Sequence, residues 1–207
     1  DIAYHRNKLE VRGFDLVINI WGADHHGHVA RLQAALDGLG LDGSHRLVVV
    51  LMQLVNLMQD GKPVRMSKRS GKTIALHDLL DEISVDAARY FFNSRAATTP
   101  LDFDLDLAVR EDSENPVYYV QYAHARICSL IARLAEEGSV VPQAEAVDAA
   151  LFTAPEELAL VKALAQYPEE IHLAARDFDP SRINRYLVAL AGDFHRFYNA
   201  CRIKGEE

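Results

Sequence analysis

The hydrophobic pattern of the chain changes period several times. "DLVINIW" (15–21) is an apolar, β-rich run stopped by Gly22, and it predicts a buried strand. "GHVARLQAALDGLG" (27–40) follows, with Val29, Leu32, Ala35, Leu36 and Leu39 at helical spacing and glycines closing it. "RLVVVLMQLVNLM" (46–58) is a second β-branched run that ends in the turn "DGKP". Strand, helix and strand in that order predict an open α/β sheet.

Beyond residue 76 the pattern becomes helical. "HDLLDEI" and "VDAARYFFNSRA" read as short helices, and "TTPLDFDLD" reads as a turn-prone link. Asn115 followed by Pro116 is a helix start, with Asn as the cap and Pro at the first helical position. Val120, Ala123, Ile127, Leu130 and Leu134 then form one apolar stripe. After a loop, "EEGSVVPQAEA", two more amphipathic helices are expected near 155–176 and 181–203. The buried face of the last comprises Ile183, Leu187, Leu190, Phe194 and Phe197. The predicted fold class is therefore α/β then all-α, with the boundary between residues 77 and 115.

Composition narrows the picture only slightly. The 207 residues are 49% hydrophobic and 25% charged, an ordinary globular balance. No apolar run reaches the roughly 18–20 residues that span a bilayer, and "DIAYHRNKLE" at the start has no apolar signal region. Cys128 and Cys201 lie far apart and in no metal-ligand spacing, so they read as buried thiols of a reducing cytosol. The formal net charge of -8 argues against non-specific coating of nucleic acid.

Against that acidity, "KPVRMSKRSGK" (62–72) holds five cations and no acid. A plain exposed loop is one reading. The alternation of cations with Met66, Ser67, Ser70 and Gly71 favours a polyphosphate clamp, in which Lys supplies charge, Ser a hydroxyl and Gly close backbone approach. "WGADHHGH" (21–28) sits where the first strand ends, the place where open α/β sheets bind ligands. Gly22 allows close approach, Asp24 is placed to accept from a ribose hydroxyl, and the following helix start favours anions. A His-rich capping turn and a metal site from Asp24, His25, His26 and His28 are the other readings; adjacent histidines in a turn point apart, which disfavours metal.

"RMSKR" (65–69) resembles the KMSKS signature of class I aminoacyl-tRNA synthetases, with Arg65 and Arg69 replacing its first and last letters. "GADHHG", "DIAYH", "VDAARYFF", "LDFDLDLA", "NPVYYVQYAHARI" and "DFHRFYNACRI" resemble, in order, stretches of bacterial arginyl-tRNA synthetases. The resemblance implies the second half of a Rossmann-type catalytic domain over 1–76, a helical connector over 77–115 and an anticodon-binding helical bundle, C-terminally truncated, over 116–207. It implies an internal piece of a longer cytoplasmic synthetase, without the family's HIGH-type signature and monomeric when whole. Arginine and ATP with magnesium would give arginyl-adenylate and pyrophosphate, and the arginyl group would pass to the 3′ end of tRNA(Arg). Lys68 and Ser67 take the catalytic positions. Gly22, Asp24, Arg65, Met66 and Arg69 take ATP-binding positions, and Asp1 and His25 arginine-binding ones. On the bundle, Tyr118, Tyr122 and Arg126 recur at four-residue steps, and Arg182, Arg185 and Arg196 fall near one side of the last helix. These six are the tRNA-binding candidates. A non-catalytic RNA-binding fragment or paralogue is the alternative; a metal-dependent hydrolase built on the His cluster is the outsider.

Overall fold

A computed structural model describes residues 1–64, 75–140 and 142–203. The chain divides into two compact units, one of residues 1–57 with 95–103 and one of residues 58–94 with 104–207.

The first unit opens with a short helix that the hydrophobic pattern did not predict, α1 (Ile2–Arg6), running into one wide turn over Asn7–Val11. Strand β1 (Val17–Gly22) leads through a tight turn, Ala23–His25, into helix α2 (His26–Gly38). A single helical turn, α3 (Gly43–Arg46), then feeds β2 (Leu47–Met52). The two strands pair in parallel, from Val17 opposite Leu47 to Gly22 opposite Met52. Leu32 and Leu36 of α2 pack with Leu9, Val17, Leu41 and Leu47 into the core, flanked by Trp21 and Val49. Gly43 is required there: a Cβ on it would sit 2.6 Å from Leu36 Cβ and 2.7 Å from the Gln33 carbonyl oxygen.

Two expectations need correction in this unit. β1 is buried on one face only, since Ile18 is 47% and Ile20 67% exposed while Val17 and Asn19 are buried. The helix between the strands covers one face of the pair, and period-2 geometry then turns alternate residues outward. The run 46–58 is also not one strand. It breaks at Gln53 and Leu54, where Gln53 N–H donates to Ala97 O (2.8 Å) and Leu54 O accepts from Leu101 N (3.2 Å). The chain thereby leaves β1 and begins β3 (Val55–Gln59) in a second sheet.

In that sheet β3 lies between the two-residue β4 (Lys62–Pro63) and β5 (Leu101–Asp104). Asp60 and Gly61 both have positive φ (51° and 68°) and join Gln59 to its partner Lys62. This is the two-residue Asp-Gly hairpin that right-handed strand twist favours. The stretch expected as a turn-prone link is thus partly strand. Leu101 and Phe103 point inward and Asp102 and Asp104 outward, a period of two hidden among turn-forming letters.

In the second unit, α4 (Leu76–Glu82) and α5 (Val85–Phe92) are the two expected short helices. Ser84 caps α5 by accepting from Ala87 N at 3.1 Å. Asp104 caps a single turn, α6 (Leu105–Ala108), at 3.0 Å. Helix α7 (Pro116–Glu136) starts as its sequence predicts: Asn115 Oδ1 accepts from Val117 N at 3.0 Å, and Pro116 occupies the first turn. The region 155–176 is two helices instead of one, α8 (Pro155–Ala165) and α9 (Tyr167–Asp177). Pro168 has no N–H to give, and its ring would collide with the carbonyl one turn back, so a continuous helix cannot pass it. Helix α10 (Ser181–Ala200) completes the bundle. Ala191 and Phe194 of α10 meet Ala123 of α7 in the core, with Tyr119, Val120, Ile127, Leu160, Phe197 and Tyr198 packed around them. Tyr186 Oη donates to Ala163 O (3.0 Å) and Asn184 Nδ2 to Tyr90 O (2.8 Å), tying α10 to α8 and α5. The cysteines correct another expectation: neither is fully buried, Cys201 being half-buried and Cys128 exposed on α7, 3.5 Å from His124 Nε2. Among the described residues no helix is long and apolar enough to cross a membrane.

Candidate functional site

The candidate side chains among the described residues gather at one place in each unit. In the first unit the place is the carboxyl end of β1. Gly22 is extended, and a Cβ there would lie 2.6 Å from Asp24 Oδ1, so the turn is closed tightly on its own carboxylate. Asp24 and His25 stand out from the surface, with Asp24 Oδ2 3.8 Å from His25 Nε2. Trp21 meets His25 edge-on (centroids 6.2 Å) and stacks on His28 (5.5 Å, 28°). His28 Nε2 lies 3.4 Å from Asp1 Oδ2, although Asp1 comes from the start of α1. The chain of contacts Asp24–His25–Trp21–His28–Asp1 thus joins the residues that sequence reasoning assigned to two ligands. Trp21 and His28, which link them, were not among the assigned residues. Their signal was present: Trp21 is the last large residue before the strand-end glycine, and His28 lies one helical turn beyond Asp24.

Asp1 precedes α1, yet its carboxylate makes no capping hydrogen bond. His25 and His28 face carboxylates and the Trp21 indole, and among the described residues no three or more His, Cys, Asp or Glu side chains could hold a metal ion. Arg65, Met66, Ser67, Lys68 and Arg69 lie outside the described residues.

In the second unit α7 presents a ladder of rings. Tyr118 and Tyr122 stack with centroids 6.3 Å apart and 5° between planes, and they are 37% and 45% exposed. Arg126 extends the ladder. Its guanidinium carbon lies 4.7 Å from the Tyr122 ring centre and 4.6 Å from that of Tyr198 on α10, and its Nη2 donates to Tyr122 Oη at 2.6 Å. His195 packs against Tyr119 (4.9 Å) and Tyr122 (5.8 Å), with both ring nitrogens buried. Burial, and then the neighbouring Arg126, push the His195 pKa below its ordinary value. Next to Tyr198 a groove of about 560 Å³ runs along Leu130, Arg133, Leu134 and Arg202.

The other three candidate arginines are differently placed. Arg182 is paired with Glu170 (3.2 Å) and Asp177 (3.8 Å), with only 28% of its side chain exposed. Arg185 lies 3.5 Å from Asp179 and donates to Ser181 Oγ at 2.7 Å. Arg196 donates to Asp193. Sequence spacing put these six residues in one category; the structure separates three arginines held by acids from one held between rings.

Known proteins resemble the chain along its whole length. Residues 120–207 match the DALR anticodon binding domain. Over all 207 residues the chain is 57% identical to an arginine–tRNA ligase of Ruminiclostridium cellulolyticum and 56% identical to one of Caldanaerobacter subterraneus subsp. tengcongensis. It spans 36% and 37% of their respective lengths. A putative arginyl tRNA synthetase from Campylobacter jejuni superposes with a TM-score of 0.85 at 38% identity, over 100% of this chain and 44% of that one. Thermus thermophilus arginyl-tRNA synthetase, at 21% identity, shares the fold with a TM-score of 0.72 over 92% of this chain and 34% of that one. The chain is homologous, from end to end, to a part of the arginine–tRNA ligases.

Proposed function

We propose that the chain is the part of an arginine–tRNA ligase that reads ATP and arginine at the end of β1 and tRNA(Arg) on the bundle. Residues 1–76 are then the second half of a Rossmann-type class I catalytic domain, 77–115 a connector and 116–207 the anticodon-binding bundle. Gly22 lets the ATP ribose approach the backbone, and Asp24 accepts from its hydroxyls. Asp1 accepts two parallel hydrogen bonds from the arginine guanidinium, with His25 nearby. Lys68, with Ser67, meets the charge developing on pyrophosphate, and Arg65, Met66 and Arg69 complete the phosphate loop. Magnesium enters with ATP, carried by its phosphates. Arginyl-adenylate forms with loss of pyrophosphate, and the arginyl group then moves to a hydroxyl at the tRNA 3′ end with release of AMP. The working protein is a cytoplasmic monomer in this reading.

The observation that carries the tRNA assignment is the Tyr118–Tyr122–Arg126–Tyr198 ladder. Exposed parallel rings offer unpaired bases a stacking surface, and a guanidinium held by rings keeps its hydrogen-bonding edge for a base or phosphate. Arg182, Arg185 and Arg196 supply backbone contacts, exchanging their acid partners for phosphates. The test is tRNA affinity of the complete ligase across a salt series. Base–aromatic stacking is worth about 1–3 kcal/mol per base. Tyr122→Ala should therefore weaken tRNA by roughly 5- to 150-fold without changing the salt slope, because a stacked base releases no counterion. Unchanged affinity in Tyr122→Ala and Arg126→Met together would remove the ladder from the tRNA site. The ladder alone would equally suit a non-catalytic RNA-binding paralogue, and the 65–69 loop distinguishes the two, since RNA binding has no use for a phosphate clamp.

A further inference from the structure

One buried polar cluster stands apart from the site just assigned. His5 on α1 and Asn19 on β1 are only 3% and 8% exposed, in a region otherwise built from leucine and valine. Asn19 Nδ2 and His5 Nε2 are 2.7 Å apart, and His5 Nδ1 lies 2.8 Å from the main-chain oxygen of Asp1. A carbonyl oxygen can only accept, so Nδ1 carries the proton. Nε2 then offers its lone pair to the Asn19 amide, and the ring is the neutral Nδ1–H tautomer. Lys8 Nζ donates to Asn19 Oδ1 at 3.3 Å, which fixes the amide the same way round: oxygen to the ammonium, nitrogen to the ring. Burial first, and Lys8 second, hold the His5 pKa below its ordinary value, which keeps the ring in the neutral form these bonds require.

The cluster ends at Asp1. The Asp1 carbonyl oxygen accepts twice from His5, from its backbone N–H at 3.0 Å and from its ring. Asn19 lies on the strand that runs directly to Gly22. One hydrogen-bonded path therefore joins the residue proposed to read arginine to the strand proposed to read ribose. A buried polar path costs desolvation that an aliphatic pair would not, and what it adds is a fixed geometry.

We propose that His5 and Asn19 are positioning residues for arginine recognition: through the His5 ring they fix the Asp1 main chain against β1, so that its carboxylate meets the guanidinium at a set distance from Gly22 and Asp24. The proposal rests on the reading of Asp1 as the arginine-binding residue.

Two substitutions divide the ring between its two bonds. His5→Asn places an amide donor near Nδ1 and keeps the bond to Asp1. His5→Gln places an amide near Nε2, keeping the link to Asn19 while releasing Asp1. In the complete ligase, His5→Gln should raise the KM for arginine about tenfold with the KM for ATP within about twofold, and His5→Asn should restore most of it. Melting temperatures measured alongside separate folding from placement. Equal arginine KM in both variants and wild type, or arginine and ATP KM rising together, overturns the proposal and leaves the cluster a structural tie. Should both histidine variants fail to fold, Asn19→Ala must raise the arginine KM in the same selective way, and a normal KM there overturns it. Asp1→Ala is the control on the underlying reading. If it leaves the arginine KM unchanged, the reading of Asp1 falls and the positioning role falls with it. If Asp1→Ala impairs arginine and His5→Gln does not, only the positioning role falls.

Discussion

Asn115 should be the most sensitive polar residue of the helical unit. It is 4% exposed, and its side chain makes three hydrogen bonds. Oδ1 caps α7 through Val117 N at 3.0 Å, and Nδ2 donates to the carbonyls of Ala108 (3.3 Å) and Arg110 (2.8 Å). Asn115→Ala removes the cap, at about 1 kcal/mol. It also strands the Ala108 carbonyl, whose bond is buried, at about 1–3 kcal/mol; the Arg110 carbonyl is partly exposed and water can replace its partner. The sum is about 2–4 kcal/mol. The loss falls on the first turns of α7, the turns that carry Tyr118 and Tyr122, so tRNA affinity should fall with stability. Asn115→Ser keeps a capping acceptor without introducing a charge and loses the donors to both carbonyls, so it should lie between wild type and Asn115→Ala. Urea unfolding followed by helix signal, with hydrogen exchange of the Val117 to Val120 amides, measures both parts. A loss under about 0.5 kcal/mol for Asn115→Ala, or identical behaviour of the two variants, would refute the assignment of the cap.

Three further outcomes are expected. Lys68→Ala in the complete ligase should lower kcat roughly 10²–10³-fold with a smaller change in the KM for ATP, because in the proposed role the lysine meets charge that appears only in the transition state; an unchanged kcat would return the 62–72 segment to a plain exposed loop. Replacing Arg182, Arg185 and Arg196 together by Gln should flatten the salt dependence of tRNA binding by roughly 0.7–0.9 log unit per lost phosphate contact, and an unchanged slope would leave these arginines to their acid partners. His5 and His195 both have pKa values held below the ordinary 6.5, mainly by burial. The folded state binds their protons less readily than the unfolded chain, so stability is full above about pH 6.5 and is lost as pH falls below it; urea midpoints from pH 7.5 to 5 should show that loss, and a midpoint rising on acidification would contradict it.

Elements with a local chemical signature were legible in the sequence, and those decided by packing partners were not. Helix α7 announced itself through Asn115, Pro116 and a stripe ending at Leu134, because capping and periodicity are properties of neighbouring residues. The break at Pro168 was equally local, but the amphipathic pattern on both sides concealed it. β5 was concealed in the opposite way: Thr, Pro and Asp dominate its stretch, and only Leu101 and Phe103 carry the strand period. The exposed Ile18 and Ile20 follow from which face α2 covers, which no window of sequence contains. At the site, Gly22 and Asp24 could be picked out from their place at a strand end. Tyr198 could not, because its relation to Arg126 exists only once α7 and α10 have packed around Phe194. The buried His5–Asn19 bond crosses from helix to strand and leaves no periodic trace.

The arginines of the bundle show why charge counted along a sequence is a poor guide to charge available at a surface. Arg182, Arg185 and Arg196 each lie on a carboxylate, at 3.2 Å or 3.5 Å in the first two cases. Before any of them can meet a phosphate, it must leave an anion that already satisfies it, so the net gain is the difference between two similar interactions. Arg126 has no carboxylate partner among the described residues, and its guanidinium is held over two tyrosine rings instead. Rings orient the group without neutralising it, so its full charge remains for a ligand. In a chain with 30 acids against 22 bases, that distinction matters more than the count of arginines. An acidic surface repels the nucleic-acid backbone at long range, and an unneutralised cation set beside stacking rings attracts only a strand that comes close enough to unstack a base onto them. If the bundle reads tRNA as proposed, selectivity for unpaired nucleotides over duplex would follow from the placement of Arg126 beside these rings.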